Sequence, residues 1–226
     1  MIEFLVIIVK FLAFVITLTV HEFSHALAGY YLGDETAKRL GRLTLNPIPH
    51  IDPVGTIIFP LLGMFTAGPV FGWAKPVPFN PYNLKYGKWG AVMVAMAGPV
   101  SNLAVAILAT SVLLLLTRVF GLAANNLLAV FLVFLGMISL VLAVFNLIPV
   151  APLDGSRLVS AILDAPKYRQ ARMFLETRGP LILLAIIAVD FFTRVSILGT
   201  VFSAVIGGFY WVFGALPTVA SVLSTV

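Results

Sequence analysis

Residues 11–31 read FLAFVITLTVHEFSHALAGYY, an apolar run broken by His21, Glu22, Ser24 and His25 and then resumed. Taken back to Ile2, the stretch is long enough as a helix, at about 1.5 Å per residue, to cross roughly 30 Å of hydrocarbon. Positions four apart share a helix face, so the two imidazoles point the same way. The stretch predicts a spanning helix with a polar cluster in its second half. A charged side chain at mid-bilayer costs on the order of 2.5–3.5 kcal/mol, so such a cluster is by default a functional feature.

The rest of the 226-residue chain has the same character. It is 61% hydrophobic and 10% charged, with a mean hydropathy of +1.08, whereas a soluble domain carries about 25% charge. A soluble protein is excluded, and lipid is the solvent against which the chain must be read. The net charge of +5 and the pI near 9.7 do not indicate nucleic acid, because the basic residues cluster between apolar runs, where they act as topology signals. Disulfides and thiolate chemistry are excluded, since the chain has no cysteine. No cleavable signal peptide is expected, because HEFSH and not a small-residue cleavage site follows the first apolar stretch. The length predicts one membrane-embedded domain over residues 1–226, with no large soluble appendage.

Working outward from the first span, a polar stretch covers residues 33–52, and an apolar run at 54–73 is interrupted by Gly55, Pro60, Gly63, Gly68 and Pro69. That composition suits no simple spanning helix. The segment AKPVPFNPYNLKYGK predicts an extended interfacial loop, since its prolines break helix and its aromatic residues suit a headgroup belt. Spanning helices are predicted at 91–117 and 127–149, a basic segment at 157–178, and about two further passes within 180–226. Of fourteen Lys and Arg, eleven fall in three segments, 38–42, 75–88 and 157–178, which the positive-inside rule places on the cytoplasmic side. The first span then ends inside, the 91–117 helix goes outward and the 127–149 helix returns. The 54–73 run must start and finish on one side, as a re-entrant loop or a hairpin. Irregular backbone at that depth is tolerated only when buried in protein or lining a cavity.

His21-Glu22-Phe23-Ser24-His25 is an H-E-x-x-H pattern: two ligands for one metal, with Glu22 placed to take a proton from water that the metal activates. Zinc suits imidazole nitrogen and carboxylate oxygen. A catalytic zinc takes three protein ligands and keeps an open position. Asp154 is the candidate third ligand, because it follows a long uncharged span in NLIPVAPLDGSR and the topology puts it at the cytoplasmic end of its helix. HEFSH lies toward the cytoplasmic end of its own helix, about eight residues or roughly 12 Å below the interface, so the two can meet at one depth. The bland alternative for Asp154 is a carboxylate facing water at a span end.

Three motifs together resemble the site-2 protease family: HEFSH in a membrane helix, Ala97-Gly98-Pro99-Val100-Ser101-Asn102 opening a later helix, and Phe145-Asn146-Leu147-Ile148-Pro149 leading into Pro152-Leu153-Asp154-Gly155. The resemblance covers about residues 11–157. It implies zinc held by His21, His25 and Asp154, Glu22 as base, a three-helix core, and cleavage of transmembrane protein substrates within or near the bilayer. It also suggests a prior cut by another protease. Ser156 departs from the family's usual LDGG ending without touching the ligand. No PDZ or CBS regulatory domain fits the length, and the additional first helix of some members is not expected, since HEFSH lies in the first span.

The combined expectation is an all-α, multi-pass protein of the cell membrane. It is a helical bundle with a catalytic core over about 11–157, a re-entrant or hairpin segment near 54–73 and C-terminal segments over about 180–226. The zinc site lies toward the cytoplasmic side, reached by water beside the 33–53 and 74–90 loops. The 54–73 region is the expected place for a gate or for a backbone edge that receives an unwound substrate. Asn102 and Asn146 are candidates for a hydrogen bond to a ligand or to substrate, or else for helix–helix contacts and caps. His50 has an interfacial role, with transient metal or substrate contact as the lesser reading. Asp190 and Arg194, four apart, read as a salt bridge or a water-facing turn. Two rival functions are a membrane metal transporter, which needs polar groups on both sides of the metal, and a catalytically silent membrane-binding relative. The topology has a clean test, because the chain lacks cysteine. A Lys38→Cys variant should resist an impermeant thiol reagent in intact cells and react once the membrane is opened; labelling from outside overturns the orientation.

Overall fold

Lipid cannot satisfy a backbone N–H or C=O, so a chain of this composition folds by closing its hydrogen bonds within helices. The computed structural model describes residues 2–65, 72–192 and 196–226, and these contain helices and no strand. Chain order runs α1 (Ile2–Tyr31), α2 (Thr36–Arg39), α3 (Phe59–Phe65), α4 (Lys88–Arg118), α5 (Leu127–Asn146), α6 (Gly155–Ile162), α7 (Arg169–Phe192), α8 (Ile197–Val212) and α9 (Leu216–Leu223). Among the described residues, α1, α4 and α5 are long and apolar enough to cross a membrane. In the C-terminal region α7 has 24 residues, with Arg169, Arg172, Glu176 and Arg178 in its first half, and α8 and α9 are shorter. The 16 residues of α8 rise about 24 Å, less than a full hydrocarbon thickness.

The three long helices pack against one another in pairs. Their contact faces carry small residues, as expected where apolar solvent supplies no hydrophobic drive and close approach must supply dispersion contacts. Ala13, Ala26, Ala95, Ala106, Ala109, Ala129 and Ala143 are all buried. Thr17 and Ser139 meet in this interior, hydroxyl to hydroxyl at 2.9 Å, which ties α1 to α5. On the far side, α8 and α9 cover α4 and α5 through Tyr210, Ala215, Val219 and Val222.

The 54–73 segment begins with a π-helical turn over Pro53–Ile58, whose first amides, of Val54 and Gly55, are capped by the Asp52 carboxylate. The turn runs into α3, and residues 66–71 lie outside the described part. The ends of the segment are bonded together: Trp73 N–H donates to Gly55 O at 3.0 Å, and the Thr56 hydroxyl donates to Trp73 O at 2.8 Å. The segment therefore leaves from and returns to one place. Residues 72–80 continue as an extended strap beneath the end of α1. Arg194 lies outside the described residues. Asp190 accepts N–H groups from Ile197 and Leu198 and so caps the start of α8.

The end of α1 is set locally. Gly33 takes φ +104°, a left-handed value that favours glycine, and the chain turns into Asp34. Asp34 is fully buried and accepts hydrogen bonds from the amide and hydroxyl of Thr36, the amide of Asn80 and the side chain of Asn83. Burial alone would raise its carboxyl, but these donors outweigh it and hold the group below its ordinary value of 3.8. A carboxyl depressed on folding stabilises the protein above its unfolded value and loses that contribution as pH falls through the folded one. Asp34→Ala should cost roughly 2–3 kcal/mol at pH 7, because it leaves several buried donors unpaired. In thermal unfolding in detergent, the gap between variant and parent should narrow as the pH drops below about 4.

Candidate metal centre

One helical turn separates His21 from His25, and both imidazoles turn into the groove between α1 and α4. Their Nε2 atoms lie 3.0 Å apart. After α5, a run of turns over 147–154 carries Asp154 back under the bundle to the start of α6, where its Oδ2 lies 3.2 Å from His21 Nε2 and 3.3 Å from His25 Nε2. The turn that delivers it leaves no space for a side chain at Gly155, where an added Cβ would fall 2.4 Å from Leu147 O.

Three electron-pair donors facing one another at this distance repel unless a proton or a metal cation sits among them. Tetrahedral zinc, with bonds of about 2.0–2.1 Å, separates its ligand atoms by roughly 3.3–3.4 Å, close to what is found here. The outward ring atoms are set for the same purpose. His25 Nδ1–H donates to Val94 O at 2.8 Å, which leaves the Nε2 lone pair facing the cluster. The amide of Asn102, wholly buried on α4, lies 2.9 Å from His21 Nδ1. With Nδ1 protonated, the amide oxygen faces it, an arrangement reached by a half-turn of the amide. Asp154 Oδ2 is buried and makes no hydrogen bond. Among the described residues, His21, His25 and Asp154 form a group that could hold a metal ion, and its donor set suits zinc.

Glu22 is buried beside the first histidine, and its Oε2 accepts a hydrogen bond of 2.9 Å from the Val77 amide on the strap. All four residues line one cavity of about 350 Å³, walled by Leu18, Leu142, Phe145 and the strap residues Gly72, Trp73, Ala74, Pro76, Val77 and Phe79. Arg157 stands at this cavity with its guanidinium over the Phe79 ring, 5.6 Å from the centroid.

The remaining candidates separate. Asn102 contacts a ligand ring. Asn146 also lines the cavity, but its side-chain amide donates to Leu142 O within its own helix at 3.0 Å. His50 is buried and is not part of the His21, His25 and Asp154 group: its Nε2–H donates to Thr44 O at 2.9 Å, and its own carbonyl accepts from Lys75. Sequence reasoning assigned no role to Gly98, although it lies in the quoted 97–102 stretch. An added Cβ there would fall 2.5 Å from His25 Nε2 and 2.6 Å from His21 Cε1, so α4 reaches the imidazoles only because this position is bare. The Val94 carbonyl and the Val77 amide were also missed, and as backbone groups they carry no residue-type signal.

Comparison with known proteins agrees with this geometry. The model of peptidase family M50 matches residues 116–189, which include α5 and Asp154. YwhC of Bacillus subtilis (strain 168), named as a candidate zinc metalloprotease, is 38% identical over 179 residues, 76% of each chain. Rip2 of Mycolicibacterium smegmatis (strain ATCC 700084 / mc(2)155), named likewise, is 31% identical over 150 residues, 66% of this chain and 55% of its own. Rip2 of Mycobacterium tuberculosis (strain ATCC 25618 / H37Rv) is 31% identical over 140 residues, 62% and 51%. The chain thus spans about half the length of the two Rip2 proteins. No solved structure is a significant match.

Gly98→Ala should remove most bound zinc, read by elemental analysis of purified protein, because the methyl group occupies the place of the ligand rings. Asn102→Ala should keep the fold and weaken zinc binding by about 10- to 100-fold in a chelator competition.

Proposed function

The chain belongs to peptidase family M50 and is a zinc metalloprotease of the membrane, and on that premise we propose that it cleaves transmembrane proteins inside the bilayer, near the cytoplasmic face. The observation that carries the reading is the convergence of His21, His25 and Asp154 with Glu22 in one cavity between membrane-length helices. In this reading His21, His25 and Asp154 hold the zinc, and Glu22 is the general base. The working unit is a single membrane-embedded domain with its core over about 11–157 and further membrane segments over about 180–226.

Bound zinc supplies Lewis acidity, acidifying water and polarising the scissile carbonyl. The protein's own residues do the rest. Glu22 takes the proton of the attacking water and passes it to the leaving amine nitrogen. The Val94 carbonyl keeps His25 in the tautomer that turns Nε2 inward, and Asn102 does the same for His21 once its amide oxygen faces Nδ1. Leu18, Leu142, Phe145 and Trp73 give the cavity apolar walls, which suit a stretch of membrane-spanning chain and limit free water. A substrate helix hides its amides in its own hydrogen bonds, so it must unwind locally before it can enter.

The cytoplasmic assignment rests on charge. The three basic segments are bonded to one another: Arg42 donates to the carbonyls of Lys75 and Pro76, and Lys88 and Arg172 both pair with Asp164. They therefore share one side, the side on which α1 ends and Asp154 lies, and the positive-inside rule makes that side the cytoplasm.

A cleavage assay in detergent with a model transmembrane peptide tests the chemistry. Glu22→Gln should keep its zinc and lose at least about a hundredfold in rate. Asp154→Ala should lose zinc and activity together. Full zinc and full activity in Asp154→Ala would remove it from the metal.

A further inference from the structure

The residue that faces Glu22 across the cavity is held in place by an arrangement the metal does not explain. Val77 lies between Pro76 and Pro78, two residues with no N–H of their own, in the extended strap. Its amide is therefore the one backbone donor in that tripeptide, and it meets Glu22 Oε2 at 2.9 Å. The strap is clamped just before this point. Arg42, 7% exposed, sends its guanidinium to the carbonyls of Pro49, Lys75 and Pro76, the last at 3.0 Å. Lys75 N–H donates to His50 O at 2.9 Å, which joins the same two loops a second time. Among the described residues no carboxylate oxygen lies within 4.0 Å of the Arg42 guanidinium, so this buried cation serves backbone carbonyls and forms no ion pair. At the far end of the strap, Asn80 N–H is fixed by Asp34 at 2.7 Å. The strap is thus pinned on both sides of Val77, and the peptide at 77 is turned toward α1.

We propose that Val77 is a positioning residue for proteolysis: its amide, held in place by the Arg42 clamp, anchors Oε2 of Glu22 so that Oε1 alone faces the attacking water. A glutamate side chain has three rotatable bonds, and a base that must take a proton in one direction and return it in another gains from having one oxygen tethered. The donor is a backbone group, so its effect depends on the N–H and not on the isopropyl side chain. The proposal rests on Glu22 being the general base.

The test compares Val77→Ala, which keeps the N–H, with Val77→Pro, which removes it in a segment already flanked by prolines. Zinc content and cleavage kinetics are measured on the full chain in detergent. Val77→Ala should stay within about threefold of the parent, whereas Val77→Pro should keep its zinc and lose about 10- to 100-fold in kcat with KM nearly constant. Equal behaviour of the two variants, or a Val77→Pro loss that appears in KM alone, overturns the proposal; the second result would make the strap a substrate-binding element. A second measurement does not depend on the folding of Val77→Pro. Hydrogen exchange of the Val77 amide, followed by mass spectrometry or NMR in zinc-free and zinc-loaded protein, should be slow in the parent and at least about tenfold faster in Glu22→Ala. Unchanged protection in Glu22→Ala refutes the hydrogen bond. Glu22→Gln in the same cleavage assay separates the two levels. If it cleaves normally, the assignment of Glu22 as base fails. If it is inactive while Val77→Pro is fully active, only the role of Val77 fails.

Discussion

Two imidazoles and a carboxylate cannot be left facing hydrocarbon, and the arrangement of this bundle follows from where they are put. Each costs several kcal/mol in contact with lipid, so all of them turn inward. Once they share the interior they face one another at 3.0–3.3 Å, a spacing that a shared proton or a bound cation makes favourable. For that to happen α4 must approach α1 closely enough to place Val94 and Asn102 behind the rings, and bare Gly98 permits the approach. The Thr17–Ser139 hydrogen bond, one turn beyond His21, ties α1 to α5, the helix that leads to Asp154. Helix packing and ligand placement are thus one problem with one solution.

The polar cover at the end of α1 obeys the same logic with different means. Its backbone is irregular, so each N–H and C=O needs an individual partner where it is buried. Asp34, Arg42, Asp52 and Thr56 supply them, two acids and a cation spent on backbone groups and not on one another. Glu22 belongs to this network as well as to the metal cavity through its bond with Val77. The cover is therefore continuous with the side chains that line the cavity. Asp34 and Arg42 are thus linked to the cavity through hydrogen bonds to the strap.

How much of this could be read from the chain alone depends on range. The pairing of His21 with His25 was legible because an i, i+4 spacing on a helix is a local fact, and the apolar surroundings identified the solvent as lipid. Asp154, 129 positions after His25, was reached only because charge topology orders helix ends, so two distant residues could be assigned one depth. The return of the 54–73 segment followed from the same ordering. The length of the C-terminal helices did not, since a uniformly apolar stretch has no mark where one helix stops and the next begins.

What the sequence by itself determined was the apolar solvent, the three long apolar helices, the pairing of His21 with His25 and the meeting of Asp154 with that pair. Each of these depends on composition, on spacing within one helix or on charge at helix ends. The tertiary structure alone decided which groups stand behind His21, His25 and Glu22. Val94 lies 69 positions from His25, Asn102 lies 81 from His21, and Val77 lies 55 from Glu22. Two of these three partners act through the backbone, which every residue possesses, so no residue type could announce them. The same limit applies to Gly98 and His50. One is essential for a side chain it lacks, and the other, a histidine by type, serves in its loop as a scaffold through its ring N–H and its carbonyl.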